Sequence, residues 1–394
     1  MRRVALVGIL LTLAIPAMGS GQTGGAANAE RQAALALEQQ GKNAEAEAAW
    51  RAYLKSHASS PEAYAHLGLL EARQEHYKEA IPLYRKALAL GPEVPSVRLN
   101  LGLALFKSGE LKEAIEAFEP LEKSQPDNQR LTTLLGMSYY GLAEYAQAIP
   151  YLKRAAAGDA QNLSVRLALA HSCLWSEQNQ CVLDVYREIL DLNPDSAEAD
   201  MLAGEALAGL HDDPAAVRMF QAATKANPKE PAAHFALGYM LWFLKRYEEA
   251  AKEFQAELEN DPDHVLARLY LADTDIQLNQ IQDAVPLLER VVKLDPAQGL
   301  GHLDLGIVYT EAGRKEDALR ELTLAAKLTP DDVNVHWRLG QLYRTLGKKE
   351  EAKAEFDKAS TLNKAADEDL YKKIANGHAR PGQTQEPAAA PPEK

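Results

Sequence analysis

Basic charge is scarce in this chain and nowhere concentrated. Lys and Arg number 43 against 56 Asp and Glu, a formal charge of −13, and no stretch gathers them into the footprint that a phosphate backbone requires. That argues against nucleic acid as a ligand. An acidic surface is also repelled by anionic headgroups, which argues against an electrostatic hold on membranes. Glycine-rich phosphate loops, nucleophile elbows and HExxH helices are all missing, and Gly41-Lys42 lacks the upstream glycine that a phosphate loop needs. Cysteine is limited to Cys173 and Cys181, which do not have the Cys-x-x-Cys spacing of a redox-active pair. With no signature of catalysis, the sequence reads as that of a non-enzymatic protein without cofactor or metal.

Long apolar runs are absent after the N-terminus, so no later segment reads as a transmembrane helix. The first residues differ. Met1, Arg2 and Arg3 form a positive region, Val4 to Ala17 is an uncharged apolar run, and the small residues Ala17 and Gly19 precede Ser20. Such a run is too short to span a bilayer comfortably. The pattern predicts a cleaved signal over residues 1–19 and an exported protein, periplasmic or secreted, with an uncleaved segment as its one membrane contact. No Cys follows the run, so a lipoprotein signal is missing, and Arg2-Arg3 lacks the flanking motif of twin-arginine export. Removing residues 1–19 leaves 41 basic against 56 acidic residues.

What the chain has in place of catalytic motifs is repetition. From Ala27 it repeats every 34 residues without insertion or deletion, with units starting at 27, 61, 95, 129, 163, 197, 231, 265, 299 and 333 and ending at Ala366. Position 8 of each unit is Gly or Ala. Position 20 is Ala except at Val182, and position 24 is aromatic or Leu, from Trp50 and Tyr84 to Phe356. Position 32 is Pro in seven units, with Ala58, Ala160 and Lys364 in the others. Two short helices pack closely only where small residues meet at their crossing, so positions 8 and 20 read as the contact points. Large apolar residues at 7, 17, 24 and 27 fill the flanks at helical spacing. The Pro at 32 ends the second helix. A hairpin this small must bury its apolar face against its neighbours.

These ten in-phase units resemble the tetratricopeptide repeat family over residues 27–366. The resemblance implies an all-α, right-handed superhelical solenoid of ten 34-residue helix-turn-helix repeats, whose first helices line a concave surface that binds proteins or peptides. Pro82, Pro150 and Pro286, at position 22, are expected in about the first turn of a second helix, where few donors are lost. Pro120, at position 26, is expected to kink its helix. Residues 20–26 read as a flexible spacer. Residues 367–377 read as a separate capping helix, with Leu370 and Ile374 covering the open end, and residues 378–394 as a disordered tail.

Packing and turn geometry account for most of the chemistry-bearing residues. His234, His302 and His336 recur at position 4, but equivalent positions lie about 10 Å apart, too far to share a zinc with ~2 Å bonds. Asp212-Asp213 and Asp331-Asp332 fall at turns, where short polar side chains favour the local geometry. Cys173 and Cys181 flank one tight turn. In an exported protein they form either a local disulfide contributing roughly 2 to 3 kcal/mol or two reduced, partly buried thiols. The family's concave face uses positions 2, 5, 9, 12 and 13 of the first helices. By resemblance the groove here is Leu99, Leu103 and Phe106, then Met137 and Tyr140, then His171, Leu174 and Trp175, and finally Phe235, Tyr239, Trp242 and Phe243, although positions 9 and 12 also serve packing. A carboxylate clamp is not assembled, since position 5 reads Arg31, Ala65, Leu99, Thr133 and Leu167 in the first five units. The expected ligand is an apolar or amphipathic segment. The protein is accordingly read as a binding scaffold in envelope assembly or secretion, or else as a chaperone-like holder of extended chains.

Overall fold

The computed structural model describes residues 25–91 and 94–377. The expected signal, most of the spacer, the tail and Pro92 lie outside the described residues, as do the side chains of Leu370 and Ile374. Among the described residues the secondary structure is helical, twenty helices in ten consecutive pairs.

The chain divides into two compact units, Met1–Asn227 and Pro228–Lys394. The first holds α1 (Gly25–Gln39), α2 (Asn43–Ser56), α3 (Pro61–Arg73), α4 (Tyr77–Leu90), α5 (Pro95–Ser108), α6 (Leu111–Ser124), α7 (Gln129–Gly141), α8 (Tyr145–Gly158), α9 (Leu163–Trp175), α10 (Asn179–Leu192), α11 (Ala197–Gly209) and α12 (Asp213–Ala226). The second holds α13 (Ala233–Phe243), α14 (Tyr247–Asn260), α15 (Val265–Gln277), α16 (Ile281–Leu294), α17 (Gly299–Glu311), α18 (Lys315–Leu328), α19 (Val333–Thr345) and α20 (Lys349–Gly377).

Repeats with glycine at position 8 close in the same way. The nearest neighbour of that glycine is the side chain at position 24 of the same pair, rather than the alanine at position 20. A Cβ added at Gly102 would come within 2.4 Å of the Phe118 ring, and one at Gly204 within 2.5 Å of Phe220. The position-20 alanines, such as Ala80 and Ala114, are completely buried behind it. Where position 34 is Ser or Asn it caps the next first helix. Ser60, Asn128, Asn162 and Ser196 accept from the backbone N–H three residues on, satisfying a donor the helix leaves open.

The turn inside each pair has one conformation throughout. Position 15 is left-handed in every unit, at Gly41, Gly109, Gly313 and Gly347 and equally at Glu75, Ala143, Glu177, His211, Lys245 and Asn279. The next N–H bonds the carbonyl five residues back, as from His76 to Glu71 and from Arg246 to Leu241. This is the Schellman ending of an α-helix.

Two expectations change. Pro82, Pro150 and Pro286 sit at the sixth residue of α4, α8 and α16, past the first turn, because those helices begin at position 17; each therefore omits one intrahelical bond. The separate capping helix does not occur, since α20 runs unbroken from Lys349 to Gly377. Lys364 stands where most units have Pro, and the Ala, Glu and Lys residues that follow are good helix formers. Pro120 lies inside α6, which continues to Ser124. The first helix of the seventh unit starts late, at Ala233, with Ala232 left-handed.

Candidate functional site

In the second unit an aromatic cluster covers the first helices α13 and α15. Tyr239 and Trp242 stack at 5.9 Å between ring centroids, and Tyr270 meets them edge-on at 5.1 and 5.0 Å. Phe235 packs inward against Phe254, His264 and Tyr270. Tyr239 is 38% and Phe243 58% exposed. Helical spacing explains the grouping, because residues three and four apart on α13 share one face.

Carboxylates border these rings. The Trp242 indole N–H donates to Asp273 Oδ2 at 2.5 Å. Asp304 on α17 is only 7% exposed. Burial, then the charge of Asp273, raises its pKa to about 8 against the pull of Arg338, with Asp332 adding to the rise. Burial also raises the pKa of Tyr270, helped by Tyr239, Asp273 and Asp304.

The first unit carries a smaller patch. Trp175 is 66% exposed and stacks on Tyr145 at 6.0 Å. Tyr140 lies beside Tyr145 and His171, and His171 Nε2 is 3.0 Å from Glu198 Oε1. Leu99, Phe106 and Leu174 are half-buried against the core. Leu103 and Met137, expected at the groove, belong to the core at 4% and 7% exposure. An aliphatic side chain at position 9 fills the interval to the neighbouring first helix, whereas the larger rings of His171 and Tyr239 extend past it.

The three position-4 histidines are structural. Nδ1 of His234, His302 and His336 lies 2.6, 2.8 and 2.6 Å from Glu253, Glu321 and Glu355 of its own repeat. Nε2 of His302 and His336 faces the carbonyls of Pro296 and Pro330, in the preceding turn. Asp212 and Asp332 are helix caps, accepting from the N–H groups of Ala215 and Asn334. Cys173 and Cys181 are joined by a disulfide between α9 and α10, with Cα atoms 5.8 Å apart. Among the described residues no group of three His, Cys, Asp or Glu is placed to hold a metal ion. No helix there is long and apolar enough to cross a membrane.

Tyr145, Leu266, Tyr270, Asp273, Leu300, Asp304 and Trp337 escaped the sequence reading. Leu266 and Leu300 at position 2, Asp273 at 9 and Trp337 at 5 occupy the same offsets in later repeats, and extending the reading would have found them. Tyr270 and Asp304, both at position 6, and Tyr145, at 17, carried no such signal.

Comparison with known families returns three models, each described as a tetratricopeptide repeat. One matches residues 71–137, 244–300 and 276–332, a second 31–96 and 210–265, and a third 333–365. No curated protein matches. Among solved structures, the C-terminal part of a TPR repeat-containing protein from Cytophaga hutchinsonii superposes with a TM-score of 0.51 at 18% identity, covering 61% of this chain and 99% of its own. MamA from Desulfovibrio magneticus, at 22% identity and TM-score 0.40, covers 43% of this chain and 96% of its own. YrrB, described as a TPR protein with an unusual peptide-binding site, is 18% identical with a TM-score of 0.41, covering 48% and 97%.

Proposed function

Because this chain belongs to the tetratricopeptide repeat family and is on that ground a protein-interaction scaffold, we propose that it acts outside the cytoplasm and binds an apolar or amphipathic polypeptide segment on the first helices. The observation that carries this reading is the face of α13, where Tyr239 and Phe243 stand exposed beside Trp242 and Tyr270. Rings of this size bury ~150 to 250 Å² each when covered, and the repeat core does not need them, since Leu237, Gly238 and Leu241 supply the buried side of the same helix. The face works by binding, with no reaction assigned to it, and its partner is a protein or peptide of envelope assembly or secretion. Export is supported by the apolar run at Val4 to Ala17 and by the disulfide, a bond typical of oxidising compartments.

The test is a capture experiment from envelope extract with the full chain and a Tyr239→Ala, Phe243→Ala variant. Both side chains are exposed, so helicity and melting should be unchanged. The reading holds if one or two proteins bound by the parent are depleted at least about tenfold with the variant, a loss on the scale of one or two interface anchors. Loss of many unrelated chains together makes the protein a chaperone-like holder. Undiminished capture places the binding surface elsewhere.

A further inference from the structure

Resting on that reading of the α13 face, we propose that Asp273 and Asp304, framed by Tyr239, Trp242 and Tyr270, receive the cationic side chain of an arginine or lysine in the bound polypeptide. Three observations point to this chemistry. First, the rings of Tyr239, Trp242 and Tyr270 lie within 5.9 Å of one another in edge-on and stacked contacts, and aromatic faces attract cations through their quadrupole. Second, Asp273 is oriented by the indole N–H of Trp242 at its Oδ2; among the described residues nothing donates to its other oxygen. Third, Asp304 is buried to 7% exposure and receives no hydrogen bond or ion pair from any described residue, although it feels the charge of Asp273 and Tyr270 feels that of Asp304.

Asp304 has no donor among the described residues to offset the burial of its side chain, and the charge of Asp273 adds to the cost of ionising it. A cation held against Asp273 would offset both charges. Burial and Asp273 hold the Asp304 pKa at about 8, with Asp332 adding to the rise and the exposed Arg338 opposing it. An arriving cation reverses this balance and releases the Asp304 proton. A metal ion fits the site poorly, because no third His, Cys, Asp or Glu joins the pair among the described residues. The chain as a whole carries −13, which draws basic segments towards it.

Random dodecapeptides displayed on phage are to be selected on the full chain, on Asp304→Asn, on Asp273→Asn and on Phe243→Ala in parallel. The proposal expects Arg or Lys enriched at one place beside apolar residues with the parent chain, weaker selection of every peptide with Phe243→Ala, and no Arg or Lys enrichment with either Asn variant. A synthetic winner should lose affinity by at least about tenfold when its Arg is replaced by citrulline. That ratio should shrink to about twofold on Asp304→Asn and widen as pH rises from about 6 to about 9. Winners that lack basic residues yet weaken on Phe243→Ala overturn the cation site and leave the binding face standing. Winners indifferent to Phe243 and to both aspartates overturn the face as well, and so does a failure to enrich any peptide. Two separate Asn variants keep the test decisive should one of them fold poorly.

Discussion

Phe118 closes over Gly102 so tightly that a methyl group has no place, the added Cβ lying 2.4 Å from a ring that is itself fully buried. Gly102→Ala should therefore destabilise the chain by roughly 1 to 3 kcal/mol, the range for overpacking a closed core, as read from urea unfolding followed by far-UV dichroism. An unchanged midpoint would mean that the ring can move. Asp304 offers the opposite kind of test, through protons. Its pKa of about 8 in the fold stands above the ~3.9 of an unfolded aspartate, so between those values the folded state holds a proton that the unfolded state has released. Stability from this group is accordingly present at low pH and lost as pH rises towards 8. Asp304→Asn should flatten the fall in melting temperature of the parent between about pH 5 and 8.5. Asp275, raised to about 6 mainly by burial, keeps a smaller slope of the same sign in both proteins. Parallel curves for parent and variant would show that Asp304 ionises normally.

Elements are joined by two devices of different visibility. The Schellman turn recurs at position 15 with or without glycine, which shows that the helix pair imposes a left-handed residue even where Glu75 or Lys245 must adopt it against its preference. The disulfide is unique to the fifth pair among the described residues, tying α9 to α10 across their turn. Closing so short a loop removes unfolded-state entropy equivalent to about 2.5 kcal/mol. A Cys173→Ala, Cys181→Ala variant should unfold at lower urea by about that amount, and a reducing agent should lower the parent's midpoint while leaving the variant's alone. Identical midpoints for parent and variant under oxidising conditions would show the bond to be energetically idle.

At the scale of the molecule, stability is a sum over repeats and their neighbours, so the core grows along the chain as successive clusters rather than about one centre. Surface charge is the property that the whole chain holds in common. With −13 formal charges, association with a basic peptide should slow several-fold between about 50 and about 300 mM salt, as screening shortens the reach of the field. Stopped-flow quenching of tryptophan fluorescence reads this directly. A rate independent of salt would assign recognition to apolar contact alone.

The repeat, its period and its helix pairs were legible in the chain itself because the pattern answers to local packing: a small residue at position 8, a large one at 24 and a proline at 32 recur with the helical geometry that needs them. The continuity of α20 was also within reach of the sequence, since Lys364 replaces the proline that would stop it. Other features depended on what the neighbouring repeat brings. Leu103 and Met137 share position 9 with Tyr239, and only the packing of adjacent first helices sends the first two into the core and leaves the third exposed. Trp242 and Asp273, hydrogen-bonded in the fold, are thirty-one residues apart in the sequence. Local sequence therefore determined the helix pairs, and tertiary stacking alone decided which surface side chains meet, because a carboxylate's charge and a ring's exposure depend on what lies across the interface, one full repeat away.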